Sequence, residues 1–191
     1  MLNRGESAAA FRAEPLRVPR ASGTVQRLAP FLVSLLIVLA DRWSKLAIQH
    51  SIGPFDSVPV IPGWLRIIHT ENPGAAFGIL AEGNRWLRGG ILIGVSALVL
   101  AVVISALWAR RTTFTSVPAR VGLALILGGA VGNLYDRIVL GTVTDFIEVY
   151  HGTWSFSAFN VADSAITTGA ILLLVEVMRP RRTSSRLRQD S

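Results

Sequence analysis

The strongest constraint on the fold is one uninterrupted apolar segment. Residues 89–109 form a run of 21 residues without a charged side chain. As an α-helix with a rise of about 1.5 Å per residue, this run extends roughly 30 Å, which is the hydrocarbon thickness of a bilayer. An apolar helix of this length predicts a membrane span and not a helix of a soluble core.

Three further apolar runs, at about 28–48, 121–140 and 161–178, have similar lengths but carry charged residues, and the last has them near both ends. Hydrophobic residues make up 51% of the chain and charged residues only 16%, a balance that is unusual for a soluble domain. We therefore predict a mainly α membrane protein in which one domain, residues 27–178, contains four transmembrane helices.

A segment between the first two spans has a different character. Residues 50–86 are rich in Val, Ile and Trp, with turn signals at Pro62-Gly63 and Asn72-Pro73-Gly74. This pattern predicts a small periplasmic β-hairpin or sheet on the membrane surface.

The net charge of +7 is distributed unevenly along the chain. Arginines cluster in residues 1–26, in residues 110–120 and in residues 179–191. Because cytoplasmic segments of membrane proteins are enriched in Lys and Arg, both termini and the middle loop are predicted to be cytoplasmic. The two tails lack hydrophobic periodicity, so we expect them to be disordered. The basic charge is explained by topology, and no nucleic-acid partner is predicted.

The N-terminal segment also permits a second interpretation. Residues 1–40 have a basic start, an apolar stretch and a small residue, Ala40, that resembles a signal-peptide cleavage site. The basic region is unusually long for a signal peptide, and cleavage would leave three spans. We favour an uncleaved first span.

Polar residues inside the spans gather at one depth under this topology. Ionisable residues in a membrane are costly and are therefore candidates for function. The outer ends of the first, third and fourth spans, together with the loop after the third, carry Asp41, Lys45, Asn133, Asp136, Arg137, Asp145, Asn160 and Asp163. Their common depth predicts one site near the periplasmic face.

Two carboxylates at one water-accessible depth suggest a pair that shares a proton. Like charges in close contact cannot both ionise, so one carboxyl can accept a proton from water while the other polarises a carbonyl group. The chain has no cysteine, and its three histidines do not have metal-ligand spacing. We therefore predict no metal and no cofactor. The structural alternatives are a solvated loop carboxylate for Asp145 and a helix N-terminal residue for Asp163.

Several neighbouring residues have equally good structural interpretations. Asp41 is expected to bond a nearby backbone group, and Asp136 to pair within the helix packing. Lys45 is expected to extend toward the outer interface or to contact a lipid headgroup. Gly128 and Gly132 form a G-x-x-x-G pattern that allows another helix to approach closely.

Four sequence blocks, in order, resemble the lipoprotein signal peptidases (signal peptidase II), a family of aspartic membrane peptidases. The blocks are D-x-x-S-K at 41–45, N-x-G-A-A-F at 72–77, G-N-x-x-D-R-x-x-x-G-x-V-x-D-F at 132–146 and F-N-x-A-D-S at 159–164. Each block alone is modest evidence, but the ordered set is specific.

The resemblance implies an activity and a location. Members of this family remove signal peptides from diacylglyceryl-modified prolipoproteins, cutting before the lipidated cysteine at the outer face of the bacterial inner membrane. It implies that Asp145 and Asp163 are catalytic. The residues expected to position the substrate and the pair are Asn72, Asn133, Arg137, Asn160, Asp41 and Lys45. The expected partners are lipid-modified prolipoproteins and membrane lipids, and we expect a monomer.

Two other functions fit a small polytopic protein. A proton-coupled transporter would use the aspartates as a relay, which requires carboxylates spaced through the membrane depth. Here they gather at one level, and residues 89–109 contain none. A non-catalytic membrane scaffold leaves the paired aspartates unexplained.

Overall fold

The fold is mainly helical with a small antiparallel sheet, as the sequence predicts. The computed structural model describes residues 23–54, 56–74, 85–109, 114 and 116–179. The elements in chain order are α1 (Gly23–Ser51), β1 (Ser57–Ile61), β2 (Leu65–Asn72), α2 (Arg85–Trp108), α3 (Val117–Val139), β3 (Val143–His151), β4 (Trp154–Ser155) and α4 (Val161–Met178). The predicted disordered tails lie largely outside the described residues.

Three of the described helices, α2, α3 and α4, are long and apolar enough to cross a membrane. Many of their apolar side chains point outward; Leu98 and Val102, for example, are at least 60% exposed. Such exposure is expected where hydrocarbon replaces water around the helices. Helix α1 is longer, at 29 residues, but it carries Asp41, Arg42 and Lys45. It begins at Gly23, so residues 23–26, predicted to belong to the tail, are helical.

Helix α3 packs against both α1 and α4 through glycines. A Cβ atom on Gly128 would lie 2.7 Å from the Ser34 carbonyl oxygen of α1, and one on Gly122 would lie 2.9 Å from the Gly169 carbonyl oxygen of α4. Ser34 donates a hydrogen bond of 2.8 Å to the Ala124 carbonyl, which also joins α1 to α3. The close approach expected at the G-x-x-x-G pattern is confirmed.

The sheet has the strand order β1-β2-β3-β4, with antiparallel pairs throughout. The predicted β segment at 50–86 accounts for β1 and β2, and its residues 75–84 lie outside the described part of the chain. Strands β3 and β4, in the loop that follows the third span, are not predicted by the sequence pattern. Most of β3 is buried on both faces, so its sequence lacks the alternation that marks a half-exposed strand. Its pairing with β2 sets Asp145 opposite Thr70.

Candidate active site

Asp145 reaches the site through a tight connection from helix to strand. Helix α3 ends at Val139, and the Leu140 and Gly141 N–H groups both donate to the Asp136 carbonyl. Gly141 has a φ of +80°, a conformation that glycine adopts without steric cost and that commonly ends helices. Strand β3 then begins at Val143, so Asp145 lies within a few residues of the helix end.

Asp163 lies in the first turn of α4. Asn160 is the N-cap, and its Oδ1 accepts a hydrogen bond of 2.9 Å from the Asp163 N–H. The Asp163 Oδ2 accepts in return from the Asn160 N–H at 3.3 Å. This reciprocal capping box satisfies two free N–H groups of the helix end. The structural role considered for Asp163 is therefore present, and it fixes the carboxylate next to Asn160.

Asn160 joins the two carboxylates. Its side chain is fully buried, and its Nδ2 donates to the Asp145 Oδ1 at 2.7 Å. Asn160 is placed there by Phe159, whose backbone exchanges hydrogen bonds of 2.8 and 3.0 Å with Ile147 of β3. The sheet and the α4 N-terminus thus meet at this residue, which contacts both Asp145 and Asp163.

Two further asparagines complete the set of donors. Asn72 at the end of β2 donates through Nδ2 to the Asp145 Oδ2 at 2.9 Å. Asn133 on α3 donates through Nδ2 to the Asp163 Oδ1 at 2.7 Å. Each carboxylate therefore accepts one hydrogen bond on each of its oxygens, and all four donors are N–H groups.

The environment of Asp145 favours its protonated form. The side chain is 2% exposed. Burial raises the pKa of Asp145 from 3.8 to about 6, although hydrogen bonds from Asn72 and Asn160 oppose the shift, and the nearby negative charge of Asp163 adds to it. Asp163 is only half-buried. A carboxyl with a pKa of about 6, beside a second carboxylate, can exchange a proton near neutral pH and so act in acid–base chemistry.

Behind this pair, a buried ionic cluster connects α1 to α3. It consists of Asp41, Arg42, Lys45 and Asp136. Lys45 Nζ lies 2.7 Å from the Asp41 Oδ2 and 2.8 Å from the Asp136 Oδ2, and the latter contact is ion pairing without good hydrogen-bond alignment. Arg42 pairs with the Asp136 Oδ1 at 2.8 Å. The two acids and two bases balance each other, which makes burial of the charges tolerable.

The cluster decides among the structural interpretations. The Asp41 Oδ1 accepts a hydrogen bond of 3.0 Å from the Ala162 N–H at the start of α4, so the expected backbone contact is confirmed. Asp136 is an ionic partner in the helix packing, as predicted. The expectation for Lys45 was wrong, because its side chain is 0% exposed and does not reach the interface. The two acidic partners inside the fold attract the ammonium more strongly than distant headgroups can.

Arg137 lies beside the pair without a side-chain hydrogen bond to it. The guanidinium is half-buried and donates to the Asn133 carbonyl at 3.4 Å. Its charge interacts with those of Asp163 and Asp145. Arg137 therefore adds positive potential next to the two carboxylates.

Three residues that support the site were not predicted from the sequence: Gln49, Glu71 and Thr144. The Thr144 hydroxyl accepts from Gln49 Nε2 at 2.8 Å and donates to Glu71 Oε1 at 3.1 Å, and its carbonyl accepts from Asn160 Nδ2 at 3.3 Å. These contacts connect the end of α1 to the sheet directly beside Asp145. The β-branched run Val143-Thr144 was the available signal for a buried strand.

Comparisons with known proteins are consistent with this architecture. Residues 33–179 match the sequence profile of the family described as "Signal peptidase (SPase) II". A "Lipoprotein signal peptidase" of Pseudomonas fluorescens strain Pf-5 is 41% identical over 170 residues, covering 87% of this chain and 96% of the relative. A protein of the same description from Solibacter usitatus is 40% identical over 154 residues, covering 80% and 92%.

Two solved structures, each described as a "Bacterial membrane enzyme structure by the in meso method", have similar folds. The one at 1.9 Å resolution has a TM-score of 0.68 and 29% identity, covering 79% of this chain and 93% of its own. The one at 2.3 Å has a TM-score of 0.69 and 28% identity, covering 85% and 94%. With the profile match extending over most of the chain, these similarities establish that the protein belongs to the signal peptidase II family.

Proposed function

We propose that this protein is an aspartic endopeptidase that removes signal peptides from diacylglyceryl-modified prolipoproteins, cutting before the lipidated cysteine. Family membership supports the substrate class. The observation that carries the aspartic assignment is the position of Asn160, which hydrogen-bonds both Asp145 and Asp163. The family match gives no support to the alternative of a proton-coupled transporter.

The mechanism that fits this geometry divides two roles between the aspartates. Asp163 is the charged carboxylate and takes a proton from water as the water oxygen attacks the scissile carbonyl carbon. Asp145, whose pKa is raised to about 6, gives its proton to the carbonyl oxygen. The tetrahedral intermediate then breaks its C–N bond while the proton on Asp163 passes to the leaving nitrogen, and one of its two hydroxyl groups returns a proton to Asp145 as the product carboxyl group forms. Neither a metal ion nor a covalent enzyme intermediate is needed.

The remaining polar residues have supporting roles in this proposal. Asn72, Asn133 and Asn160 hold the carboxylates through the hydrogen bonds described above, and Arg137 stabilises negative charge that develops on the substrate. Asp41 and Lys45 have no exposed side-chain surface, so they support the site from behind and do not touch the substrate.

We further propose that α1 is the fourth span and that the protein acts as a monomer in the bacterial inner membrane. Asp41 and Lys45, two of the charges that make α1 atypical, are completely buried, and Arg42 is paired with Asp136 of α3. Residues 27–178 then form one peptidase domain between two basic cytoplasmic tails, with the site near the periplasmic face. The clustering of arginines in the tails and the middle loop supports this orientation.

The experiment is cleavage of a lipid-modified prolipoprotein by the purified protein in detergent. Asp145→Asn and Asp163→Asn are each expected to lower kcat by at least about 1000-fold, since each removes one partner of the acid–base pair. Asp56→Asn, on an exposed turn away from the site, is the matched control and is expected to retain wild-type activity. A folded Asp145→Asn or Asp163→Asn variant that cleaves at the wild-type rate would exclude the aspartic mechanism.

A further inference from the structure

The side-chain amide of Asn133 lies between hydrogen-bond donors on one side and a carboxylate acceptor on the other. On one side, its Oδ1 faces Lys45 Nζ at 3.1 Å and Asn160 Nδ2 at 3.3 Å. On the other side, its Nδ2 donates to the Asp163 Oδ1 at 2.7 Å. The two ends of an amide are similar in shape but opposite in hydrogen-bonding character, so its orientation decides whether Asp163 meets a donor or an acceptor.

Lys45 permits only one of the two orientations. An ammonium group has three donors and no acceptor, so the end of Asn133 that faces it has to be the oxygen. A reversed amide would place its NH2 group against the ammonium and its oxygen against the Asp163 carboxylate. Both contacts would be repulsive in a buried site, where electrostatic interactions are strong.

The lysine itself is held rigidly. It donates hydrogen bonds to the Asp41 Oδ2 and the Asn133 Oδ1, forms an ion pair with the Asp136 Oδ2 at 2.8 Å, and has a completely buried side chain. The other donor to the Asn133 oxygen, Asn160 Nδ2, is shared with the Asp145 carboxylate at 2.7 Å and with the Thr144 carbonyl at 3.3 Å. Of the two donors to the Asn133 oxygen, Lys45 therefore makes the stronger hydrogen bond, because the amide group of Asn160 is shared with two other acceptors.

We propose that Lys45 is a positioning residue for the peptidase reaction: through Asn133, it sets the donor that keeps Asp163 a charged acceptor. The inference rests on the proposed function, since it assigns Asp163 the role of accepting the proton from water. A merely structural lysine would join α1 to α3 and neutralise two acids but would leave the chemistry of Asp163 unchanged.

Two double variants separate these roles, because each removes one acid and one base from the same cluster. Asp41→Asn/Lys45→Met removes the ammonium, leaves the Arg42–Asp136 pair intact, and retains an oxygen for the Ala162 N–H. Arg42→Met/Asp136→Asn is the matched control, since it leaves the Lys45–Asp41 pair and the Lys45–Asn133 hydrogen bond intact. The charged groups that face Asp163 from other elements, Asp145 on β3 and Arg137 on α3, are unchanged in both variants.

The measurements are kcat, KM and the pH dependence of kcat for cleavage of a lipid-modified prolipoprotein, together with thermal stability. For Asp41→Asn/Lys45→Met we expect kcat to fall by roughly 10-fold or more, as for loss of a hydrogen bond to a charged group. KM should stay within about twofold of wild type. The pH dependence of kcat should also differ from that of wild type, because the amide that donates to the Asp163 carboxylate is no longer held in one orientation. The control should keep the wild-type kcat and profile despite a similar loss of thermal stability.

Equal losses of kcat in both double variants, with an unchanged pH profile, would overturn the proposal and leave Lys45 a structural residue. If Asp41→Asn/Lys45→Met does not fold, Asp41→Asn/Lys45→Gln tests the same point, because an amide does not enforce one orientation of Asn133. Its expected result is a lower kcat with an altered pH profile, and a wild-type profile would contradict it. None of these outcomes depends on Asp145→Asn and Asp163→Asn, whose retained activity would overturn the proposed function itself.

Discussion

At the scale of single residues, the site depends on amide side chains more than on formal charges. Asn72, Asn133 and Asn160 each donate to a carboxylate oxygen at 2.7–2.9 Å. Neutral donors hold a carboxylate in place without fixing its charge as strongly as a cation does. This arrangement leaves the pKa of Asp145 raised to about 6, which suits a group that gives and regains a proton.

The raised pKa of Asp145 predicts a dependence of stability on pH. Between pH 3.8 and about 6, the folded protein keeps this proton while the unfolded chain releases it. Stability therefore falls as pH rises through this window, by at most about 3 kcal/mol from this group. Asp145→Asn lacks this contribution, so its Tm relative to wild type is expected to increase from pH 4 to pH 7. Thermal unfolding in detergent measures this difference in Tm between the variant and wild type. A difference that stays constant from pH 4 to pH 7 would contradict the raised pKa of Asp145.

Asn72→Leu tests the donor that β2 supplies. Removing its hydrogen bond raises the pKa of Asp145 further, because that bond favours the charged form. We expect kcat to fall by about 10-fold or more and the alkaline limb of the pH profile, where Asp145 loses its proton, to move to higher pH. The control is Thr153→Leu, which introduces the same side chain on the exposed turn between β3 and β4. An unchanged profile in Asn72→Leu would show that the hydrogen bond does not act on Asp145.

At the scale of elements, α3 is the helix around which the site is assembled. Its glycines bring α1 and α4 close enough for Lys45 and Asp163 to reach the same asparagine, Asn133. In a membrane, where hydrocarbon surrounds the helices, such association depends on close packing and interhelical polar contacts. The packing of small residues and the geometry of the site are therefore coupled.

Gly169→Ala tests this packing. A Cβ atom there would lie 2.8 Å from the Ile126 Cγ1 and would also crowd the Gly122 carbonyl on α3. We expect a loss of about 1–3 kcal/mol of stability, typical of overpacking, and a lower kcat. Gly94→Ala on α2, where the added Cβ meets nothing within 4 Å, is the matched control and should keep the wild-type Tm. Equal Tm values for the two variants would show that the α3–α4 contact tolerates a methyl group.

At the scale of the whole molecule, the proposed topology places the sheet and the site on one side of the membrane and both tails on the other. The chain contains no cysteine, so single cysteines can be introduced as unique labels. We expect Ser57→Cys and Thr153→Cys, both on exposed parts of the sheet region, to react with an impermeant maleimide in right-side-out vesicles. Ser184→Cys in the C-terminal tail should react only in inside-out vesicles. Labelling of all three from the same side would contradict four spans.

Much of the architecture could be predicted from the sequence because a membrane helix is a local structure. Each span satisfies its backbone hydrogen bonds within itself, so composition and length were enough to identify α2, α3 and α4 within a few residues. The distribution of arginines and the depth of the polar residues gave one common level for Asp145 and Asp163. The ordered sequence blocks then indicated the family, which the comparisons confirmed.

Strand β3 and the burial of Lys45 were decided only by tertiary structure. A strand needs a partner that is distant in sequence, as Thr70 of β2 is for Asp145 of β3. When both faces of a strand are buried, its sequence does not alternate between apolar and polar residues. Similarly, the sequence is equally compatible with a Lys45 side chain that extends to the membrane surface instead of being buried. It is buried because Asp136, on another helix, comes within 2.8 Å. Sequence alone set which polar groups share a depth, and packing determined which of them touch.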